Sequence, residues 1–261
     1  MKQLASLAVA LLATTALAGV ARAETVAALV GDRTLAVVDT GTKKVVKSMT
    51  VSGIKGRLAG IDVRPADGML YGLVEDGTVV TIDWKTGKAT MRSKLEQMVP
   101  PGVAATVDFN PVADRLRVMG ADGTNLRANV DDGKVVRDGQ LKFAETDMHK
   151  GETPMVVAGA YTNSFKGTKE TALYDIDGKI GGLLKQAPPN DGVLSAIGKL
   201  GVKADKPAFD IASDGMGGNA AWLMAGGTLY SVDLATGKAT MAAKIAGAKG
   251  TVRDIAVLPK M

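Results

Sequence analysis

The sequence contains no cysteine and a single histidine, His149. Without cysteine there is no disulfide framework, no thiol nucleophile and no cysteine-ligated zinc, haem or iron–sulfur centre. One histidine also excludes sites built from several histidines, and it leaves one candidate for a histidine-based triad. Because no serine or aspartate near His149 has the spacing of a triad, we interpret it as a residue of a polar surface loop.

Aromatic residues are scarce as well, since two Trp, four Tyr and four Phe are 4% of the 261 residues. Glycosidases use paired carboxylates, usually beside aromatic rings that stack on the sugar, so this composition disfavours a glycosidase. Hydrophobic residues (46%) and charged residues (23%) are balanced as in globular proteins. The net charge of +5 is too small to indicate nucleic acid or a membrane surface as partner, and we expect a monomer.

The first 23 residues have the pattern of an export signal. Lys2 precedes an uncharged apolar run over 4–20, and Ala21-Arg22-Ala23 fits the small-x-small site of signal peptidase. A membrane anchor needs about 20 strongly apolar residues, whereas this run is shorter and interrupted by polar residues. We therefore predict a signal peptide over 1–23, cleaved after Ala23. The mature protein, with a net charge of +3, is then periplasmic or secreted and has no membrane span.

One phrase recurs five times in the remaining chain: an aspartate or asparagine after an apolar residue, a glycine-containing turn, then lysine and further apolar residues. The five copies begin at Asp39, Asp83, Asn129, Asp175 and Asp233. Their spacing of 44 to 58 residues suits a four-stranded propeller blade and exceeds that of most helical repeats. Each unit is predicted to run through strands a and b, a glycine turn, strand c, the recurring phrase as a turn, and strand d.

The two ends of the chain complement each other. The N-terminal unit has only three predicted strands, at 25–30, 34–39 and 44–50. The segment 252–258 has the pattern of a strand a that no further strands follow. Pairing it with the N-terminal blade closes the ring and removes open sheet edges. The sequence therefore predicts an all-β fold: one β-propeller domain over 24–261 with five four-stranded blades.

Several further motifs lie in the middle of the chain, in the third and fourth units. They are Asp108-Phe109-Asn110-Pro111, Asp114-Arg115-Leu116-Arg117, Gly123-Thr124-Asn125-Leu126-Arg127-Ala128-Asn129, Gly159-Ala160-Tyr161-Thr162-Asn163-Ser164, Leu173-Tyr174-Asp175-Ile176-Asp177 and Pro188-Pro189-Asn190-Asp191-Gly192. In order and spacing they resemble a family of exported bacterial proteins known only as a domain of unknown function. The resemblance covers essentially the whole mature chain and implies a propeller-like β architecture. It implies no activity, cofactor or catalytic residue.

Four aspartates occupy the equivalent place in strand a of four units: Asp62, Asp108, Asp210 and Asp254. Strand a is innermost in a propeller, so we expect these carboxylates to converge around the central channel. Oxygen ligands suit a hard cation, and the pattern predicts a metal site, with calcium as the candidate cofactor. Tyr161 or Asn163 is expected to complete the ring from the fourth unit. In the alternative, each carboxylate accepts hydrogen bonds from backbone amides of the next blade.

Two arginines of the third unit, Arg117 and Arg127, are predicted to face each other across strands b and c. A facing pair of guanidinium groups can clamp an anion through parallel N–H donors, so the pair is a candidate anion-binding site. In the alternative, these arginines pair with acidic residues of the same stretch, which are Asp114, Asp122, Asp131 and Asp138.

Two classes of function remain. The first is a non-enzymatic exported propeller that binds an unknown small ligand or an envelope protein, or serves as a scaffold of the periplasm or cell envelope. The second is a metal-assisted hydrolase or lyase that uses the inner carboxylates. The scarcity of histidine, the lack of cysteine and the lack of an activated-nucleophile pattern favour the first class, so no catalytic residue is predicted.

Overall fold

The structure, a computed structural model, describes residues 24–204 and 206–259. The predicted signal peptide, 1–23, lies outside the described residues. Within them the chain forms twenty-one β-strands and one 3₁₀ turn, Pro189–Asp191. The strands form five sheets that are the blades of a ring, so the prediction of an all-β, five-bladed propeller is confirmed. In the described part of the chain no helix has the length and apolar character needed to span a membrane.

The first three blades are antiparallel meanders. Blade one contains β1 (Thr25–Val30), β2 (Thr34–Asp39) and β3 (Lys44–Thr50). Blade two contains β4 (Leu58–Val63), β5 (Leu70–Val74), β6 (Thr78–Asp83) and β7 (Lys88–Lys94). Blade three contains β8 (Ala105–Asn110), β9 (Arg115–Gly120), β10 (Asn125–Ala128) and β11 (Val135–Arg137).

Blade four has a fifth strand beyond the predicted four. The short β12 (Lys142–Phe143) pairs in parallel with the outer strand of that blade. The four main strands are β13 (Val156–Tyr161), β14 (Leu173–Asp177), β15 (Gly182–Gln186) and β16 (Val193–Lys199). Blade five contains β17 (Ala208–Ser213), β18 (Asn219–Ala225), β19 (Thr228–Val232) and β20 (Ala239–Lys244).

The last strand, β21 (Val252–Val257), completes blade one and closes the ring. It pairs antiparallel with β1, where Ile255 lies opposite Ala28, and the Leu258 N–H donates to the Thr25 carbonyl at 2.8 Å. The inner strands around the ring are then β21, β4, β8, β13 and β17. The predicted closure by the C-terminal strand is confirmed.

A hydrophobic cluster fills each interface between neighbouring blades. Between blades one and two, for example, Leu29 and Leu35 pack with Ile61 and Leu70. The inner and middle strands are buried on both faces, whereas the outer strands, such as β3, are mostly exposed. Burial of the strands therefore decreases from the centre of the ring outward, in the order in which the strands of each blade were predicted.

The fourth copy of the recurring phrase does not lie where the sequence pattern predicts it. The phrase at Asp175 was expected to join strands c and d, but residues 178–181 join strands b and c, β14 and β15. The turn between strands c and d is Ala187–Gly192. Aspartate and glycine suit any tight hairpin, so turn chemistry alone does not identify which hairpin is formed. The second and fifth copies are placed correctly, with a φ of 77° at both Gly87 and Gly237.

We expect loss of β21 to unfold or strongly destabilise the protein, because blade one then lacks its inner strand. A chain ending at Gly250 tests the closure itself. The variant Ile255→Ala gives a measurable step, since Ile255 is 2% exposed and truncation of a buried Ile costs about 2–5 kcal/mol. That loss corresponds to a fall in melting temperature of roughly 2–4 °C per kcal/mol for a chain of this size.

The matched control is Val136→Ala on the outer strand β11, where the side chain is 52% exposed. Its effect should stay within about 0.5 kcal/mol. Thermal unfolding of the three variants checks the prediction. A truncated chain that melts within about two degrees of the full chain contradicts the closure.

Candidate functional site

Four aspartates lie on inner strands that face the centre of the ring. Asp254 belongs to blade one, Asp62 to blade two, Asp108 to blade three and Asp210 to blade five. All four residues are buried, with exposed fractions of 3 to 6%. Inner strands converge in a propeller, so residues at equivalent positions of these strands are brought near one another.

Each of these carboxylates accepts a hydrogen bond from the backbone of the next blade around the ring. The pairs are Asp254 with the Ile61 N–H (2.9 Å), Asp62 with the Phe109 N–H (2.6 Å), Asp108 with the Tyr161 N–H (2.9 Å) and Asp210 with the Val257 N–H (2.6 Å). The contacts expected if the aspartates join the blades are therefore present.

The second oxygens of the carboxylates differ. In Asp62, Asp210 and Asp254 the second oxygen accepts the N–H of the residue that follows in the chain, at 2.6 to 3.0 Å. In Asp108 only Oδ1 is engaged, and no described residue donates to Oδ2. Asp108 therefore keeps one oxygen for another partner.

Three of the four carboxylates converge. One oxygen from each of Asp62, Asp108 and Asp210 lies within 4.8 Å of one from each of the others. We call these three residues the carboxylate trio. Asp254 is not part of the trio, although the structure places it on the neighbouring inner strand. Of the four aspartates predicted from the sequence as metal ligands, the structure thus brings three together.

Tyr161 and Asn163, which were expected to complete the ring from blade four, both have other side-chain partners. The Tyr161 hydroxyl accepts a hydrogen bond from Arg117 Nε at 3.1 Å. Asn163 forms a reciprocal pair with Asn219 of blade five. The inner strand of blade four, β13, contains no acidic residue, so this blade adds no carboxylate from its inner strand.

Burial and mutual repulsion both act on the four acids. Burial is the largest cause that raises the pKa of Asp62 and Asp108 well above the ordinary value, and the charges of neighbouring aspartates add to it. Burial likewise raises the pKa of Asp254, and it raises that of Asp210 to about 6 against the opposing amide hydrogen bonds. Two carboxylates 4.8 Å apart repel by about 3 to 4 kcal/mol at an effective dielectric of about 20.

This arrangement can hold a hard cation. Calcium takes six to eight oxygen ligands at about 2.3–2.6 Å, so two oxygens on opposite sides of the ion are about 5 Å apart. The separations within the trio lie inside that limit. Each carboxylate oxygen has two lone pairs, so an oxygen that accepts an amide hydrogen can also coordinate an ion.

Arg117 and Arg127 face each other directly across β9 and β10, as the sequence predicts. The carboxylate between them belongs to Asp138. It accepts from Arg117 Nη1 and from Arg127 Nε, both at 2.6 Å, and from Arg127 Nη2 at 2.8 Å. The predicted anion clamp therefore holds a carboxylate of the chain itself, which was one of the pairings expected in the alternative.

The same arginine, Arg117, connects blades three and four. Its side chain is 1% exposed and also donates to the Tyr161 hydroxyl, to Asn125 Oδ1 (2.8 Å) and to Asn190 Oδ1 (2.8 Å). These partners come from three of the sequence motifs, so segments far apart in the chain meet in one buried network. His149 lies outside this network, where its Nδ1 is 3.0 Å from Glu152 Oε1.

A second arginine network, not predicted from the sequence, joins blades two and three. Arg64 follows β4, and its guanidinium binds both carboxylate oxygens of Asp114 and both of Asp131 from blade three. It also donates to the Tyr71 hydroxyl at 3.2 Å. Two of the acids expected to neutralise arginines of blade three therefore neutralise an arginine of blade two. No local signal marks this, because the partners are 50 and 67 residues away.

A buried acid in blade four was missed as well. Asp175 is 0% exposed, and neither of its carboxylate oxygens has a hydrogen-bond partner in the described part of the chain. Gly159 makes room for it, because a Cβ there would lie 2.4 Å from Asp175 Oδ1. Burial raises the pKa of Asp175 to about 8, with the Arg117 charge opposing the shift.

We expect Asp175 to make the folded protein less stable as pH rises. An acid with a raised pKa binds its proton more tightly in the folded state, so its stabilising contribution is complete below about pH 4 and is lost up to about pH 8. With a chelator present, Asp175→Asn should reduce the loss of unfolding free energy between pH 5 and pH 8 by about 1 kcal/mol or more. Urea unfolding at the two pH values measures it.

The control is Asp83→Asn, at an exposed turn where a side-chain hydrogen bond from Thr86 lowers the pKa of the carboxyl. A carboxyl with a lowered pKa changes the unfolding free energy with pH only below about pH 4. This variant should therefore lose as much unfolding free energy between pH 5 and pH 8 as the wild type does. Equal losses in the wild type and in Asp175→Asn contradict the prediction.

Solved structures resemble the chain at low identity. A protein of unknown function from Bacteroides thetaiotaomicron is 17% identical with a TM-score of 0.53, over 91% of this chain and 65% of that one. Another from Bacteroides caccae is 13% identical with a TM-score of 0.44, over 87% and 74%. An auxiliary nutrient binding protein from Bacteroides ovatus is 12% identical with a TM-score of 0.47, over 76% and 55%. The likeness at a TM-score of 0.53 concerns the fold alone.

A sequence comparison identifies the family. Among curated proteins, no sequence matches this one. The model of one protein family matches residues 34–256, which include blades two to five, β2 and β3 of blade one and most of the closing strand β21. The chain therefore belongs to the family described as Domain of unknown function (DUF4394).

Proposed function

We propose that the protein is an exported, non-enzymatic binding module that holds a calcium ion in the carboxylate trio. The observation that carries the proposal is the convergence of three buried carboxylate oxygens within 4.8 Å, from three different blades. Fixed negative charges at such a distance need a cation or protons to offset their repulsion. The free oxygen of Asp108 supports the cation, since it accepts no hydrogen bond from any described residue.

The geometry favours calcium over magnesium. Calcium accepts irregular coordination and several carboxylates, whereas magnesium demands a near-ideal octahedron at about 2.0–2.1 Å. The trio is anchored by amide hydrogen bonds on three separate inner strands, so its oxygens cannot close freely around a small ion. Asp254, on the neighbouring inner strand, adds negative charge without being part of the trio.

The burial of these acids counts against the metal-assisted hydrolase or lyase. An acid or base must come within hydrogen-bond reach of the substrate, about 2.6–3.2 Å. Asp62, Asp108 and Asp210 are 3 to 6% exposed and are bonded to the backbone of the next blade, which leaves little surface for a substrate. A role limited to joining the blades is the competing interpretation, and it predicts no response to calcium.

Export is the second part of the proposal. The charge, apolar run and small-x-small site of residues 1–23 support cleavage after Ala23 and a location in the periplasm or outside the cell. The mature charge of +3 gives no support for nucleic acid or a membrane surface as partner, which leaves a small ligand or an envelope protein. We propose that the protein binds it as a monomer.

Calcium should raise the melting temperature of the chelator-treated protein, because it binds the folded state alone. At a hundredfold excess over the dissociation constant the gain is about 2.7 kcal/mol, or roughly 5–10 °C for a chain of this size. Asp108→Asn should reduce calcium affinity at least tenfold, since it removes a charge while its amide oxygen can still accept the Tyr161 N–H. Calorimetric titration with calcium measures the affinity.

Asp233→Asn is the matched control, because this aspartate lies in an exposed turn where backbone hydrogen bonds lower the pKa of its carboxyl. It should bind calcium as the wild type does. If calcium changes neither the melting temperature nor the heat signal of the wild type, the acids serve only to join the blades and the cation site is wrong.

The native protein should begin at Glu24. Expression of the full chain in a bacterial host, cell fractionation and N-terminal sequencing check the prediction. Replacing Ala21 and Ala23 by bulky residues should block cleavage, because signal peptidase requires small side chains there. Recovery of an intact 1–23 segment on wild-type protein in the membrane fraction would show that the segment is an anchor instead.

A further inference from the structure

The large exposed apolar side chains in the described part of the chain are of only two types. Among the described residues nine large apolar side chains are exposed, and all are methionine or valine. The methionines are Met69, Met91, Met148, Met155, Met216 and Met241. We call these six the surface methionines. They are six of the ten methionines in the described residues, whereas no described Leu, Ile, Phe, Tyr or Trp is exposed to this degree.

Packing and strand propensity do not explain this choice. Met91 and Met241 lie on the outer strands β7 and β20 and are 61% and 60% exposed. Exposed strand positions suit threonine or β-branched residues, for which methionine has no equivalent preference. Met148 and Met216 are 84% exposed in loops, where an apolar side chain gains nothing from burial. Methionine differs from the other apolar residues in its flexible unbranched side chain and in its oxidisable sulfur, and only the sulfur gives an exposed position a chemical reactivity.

We propose that the surface methionines are sites of reversible oxidation, through which the protein consumes hypochlorous acid without losing its fold. Oxygen passes from hypochlorous acid to the thioether sulfur, which is oxidised to the sulfoxide. Chlorine is reduced to chloride, and the proton of the acid goes to solvent. Because the chain has no cysteine, no thiol competes for the oxidant. Methionine sulfoxide is returned to methionine by sulfoxide reductases.

The fold separates these sites from the methionines that hold the core. A sulfoxide is polar, so it disrupts a core but costs little at an exposed position. Met119 (0% exposed) packs between blades three and four, and Met224 (1% exposed) packs between blades five and one. These two residues are internal controls, since they share the same chain and the same oxidant and differ from the surface methionines in exposure.

The experiment is a titration of the purified protein with hypochlorous acid, with each sulfoxide located by peptide mass spectrometry. The surface methionines should be oxidised at least ten times faster than Met119 and Met224. The melting temperature should fall by less than about 2 °C once six oxygen atoms are bound, a change equivalent to roughly 1 kcal/mol or less. A methionine sulfoxide reductase should then remove the oxygen. Oxidation of the two buried residues alongside the others overturns the proposal, as does early unfolding.

Two variants test whether the surface methionines account for the oxidant consumed. The first replaces all six by leucine, and the second replaces only Met119 and Met224 by leucine. Free methionine in the same solution reports the oxidant that the protein leaves. The wild type and the second variant should protect the reporter by about six equivalents, and the first variant should lose most of this protection. Equal protection by the first variant would show that lysines take up the oxidant, and the proposal would be wrong.

Discussion

The hydrogen bonds from aspartate carboxylates to backbone amides at the ring centre are the contacts on which the rest of this structure depends. The inner strands of neighbouring blades belong to separate sheets, so no β-ladder joins them there. Asp254, Asp62 and Asp108 connect blades one to four in turn, and Asp210 connects blade five to blade one. Hydrophobic clusters fill the interfaces, and a directional bond to one amide helps to fix the position of each of these inner strands along the next.

The same bonds place negative charge where charge is most costly. An amide donor stabilises the ionised carboxylate, whereas burial and the neighbouring acids oppose ionisation, and for Asp62 and Asp108 burial is the larger effect. A cation in the trio would remove this conflict. Asp210 also binds the Val257 N–H of the closing strand β21, so an ion held by Asp210 would stabilise the contact that closes the ring. In the proposed site, cation binding and ring closure would therefore be coupled through the Asp210 side chain.

The recurring phrase with its spacing, the turn residues and the complementary chain ends were enough to predict five blades and their closure. They also placed the four aspartates on inner strands and set Arg117 opposite Arg127. The same patterns could not tell which aspartates meet, because a repeat gives the position along a strand but not the offset between neighbouring blades. Nor could they predict the Arg64 contacts or the burial of Asp175, since both depend on segments brought together only by the complete ring.

Blade four shows why the carboxylate ring is incomplete. Its inner strand β13 contains no acidic residue, and its junction with blade five carries the uncharged Asn163–Asn219 pair instead. A fifth carboxylate would add further repulsion of a few kcal/mol to a site that already holds three converging acids. At the junction with blade three, Arg117 joins the two blades through its hydrogen bonds to Tyr161 and Asn190. Its positive charge is neutralised by Asp138. The fold therefore keeps its blades joined all around the ring while limiting the negative charge at the centre to what one divalent ion and a few protons can offset.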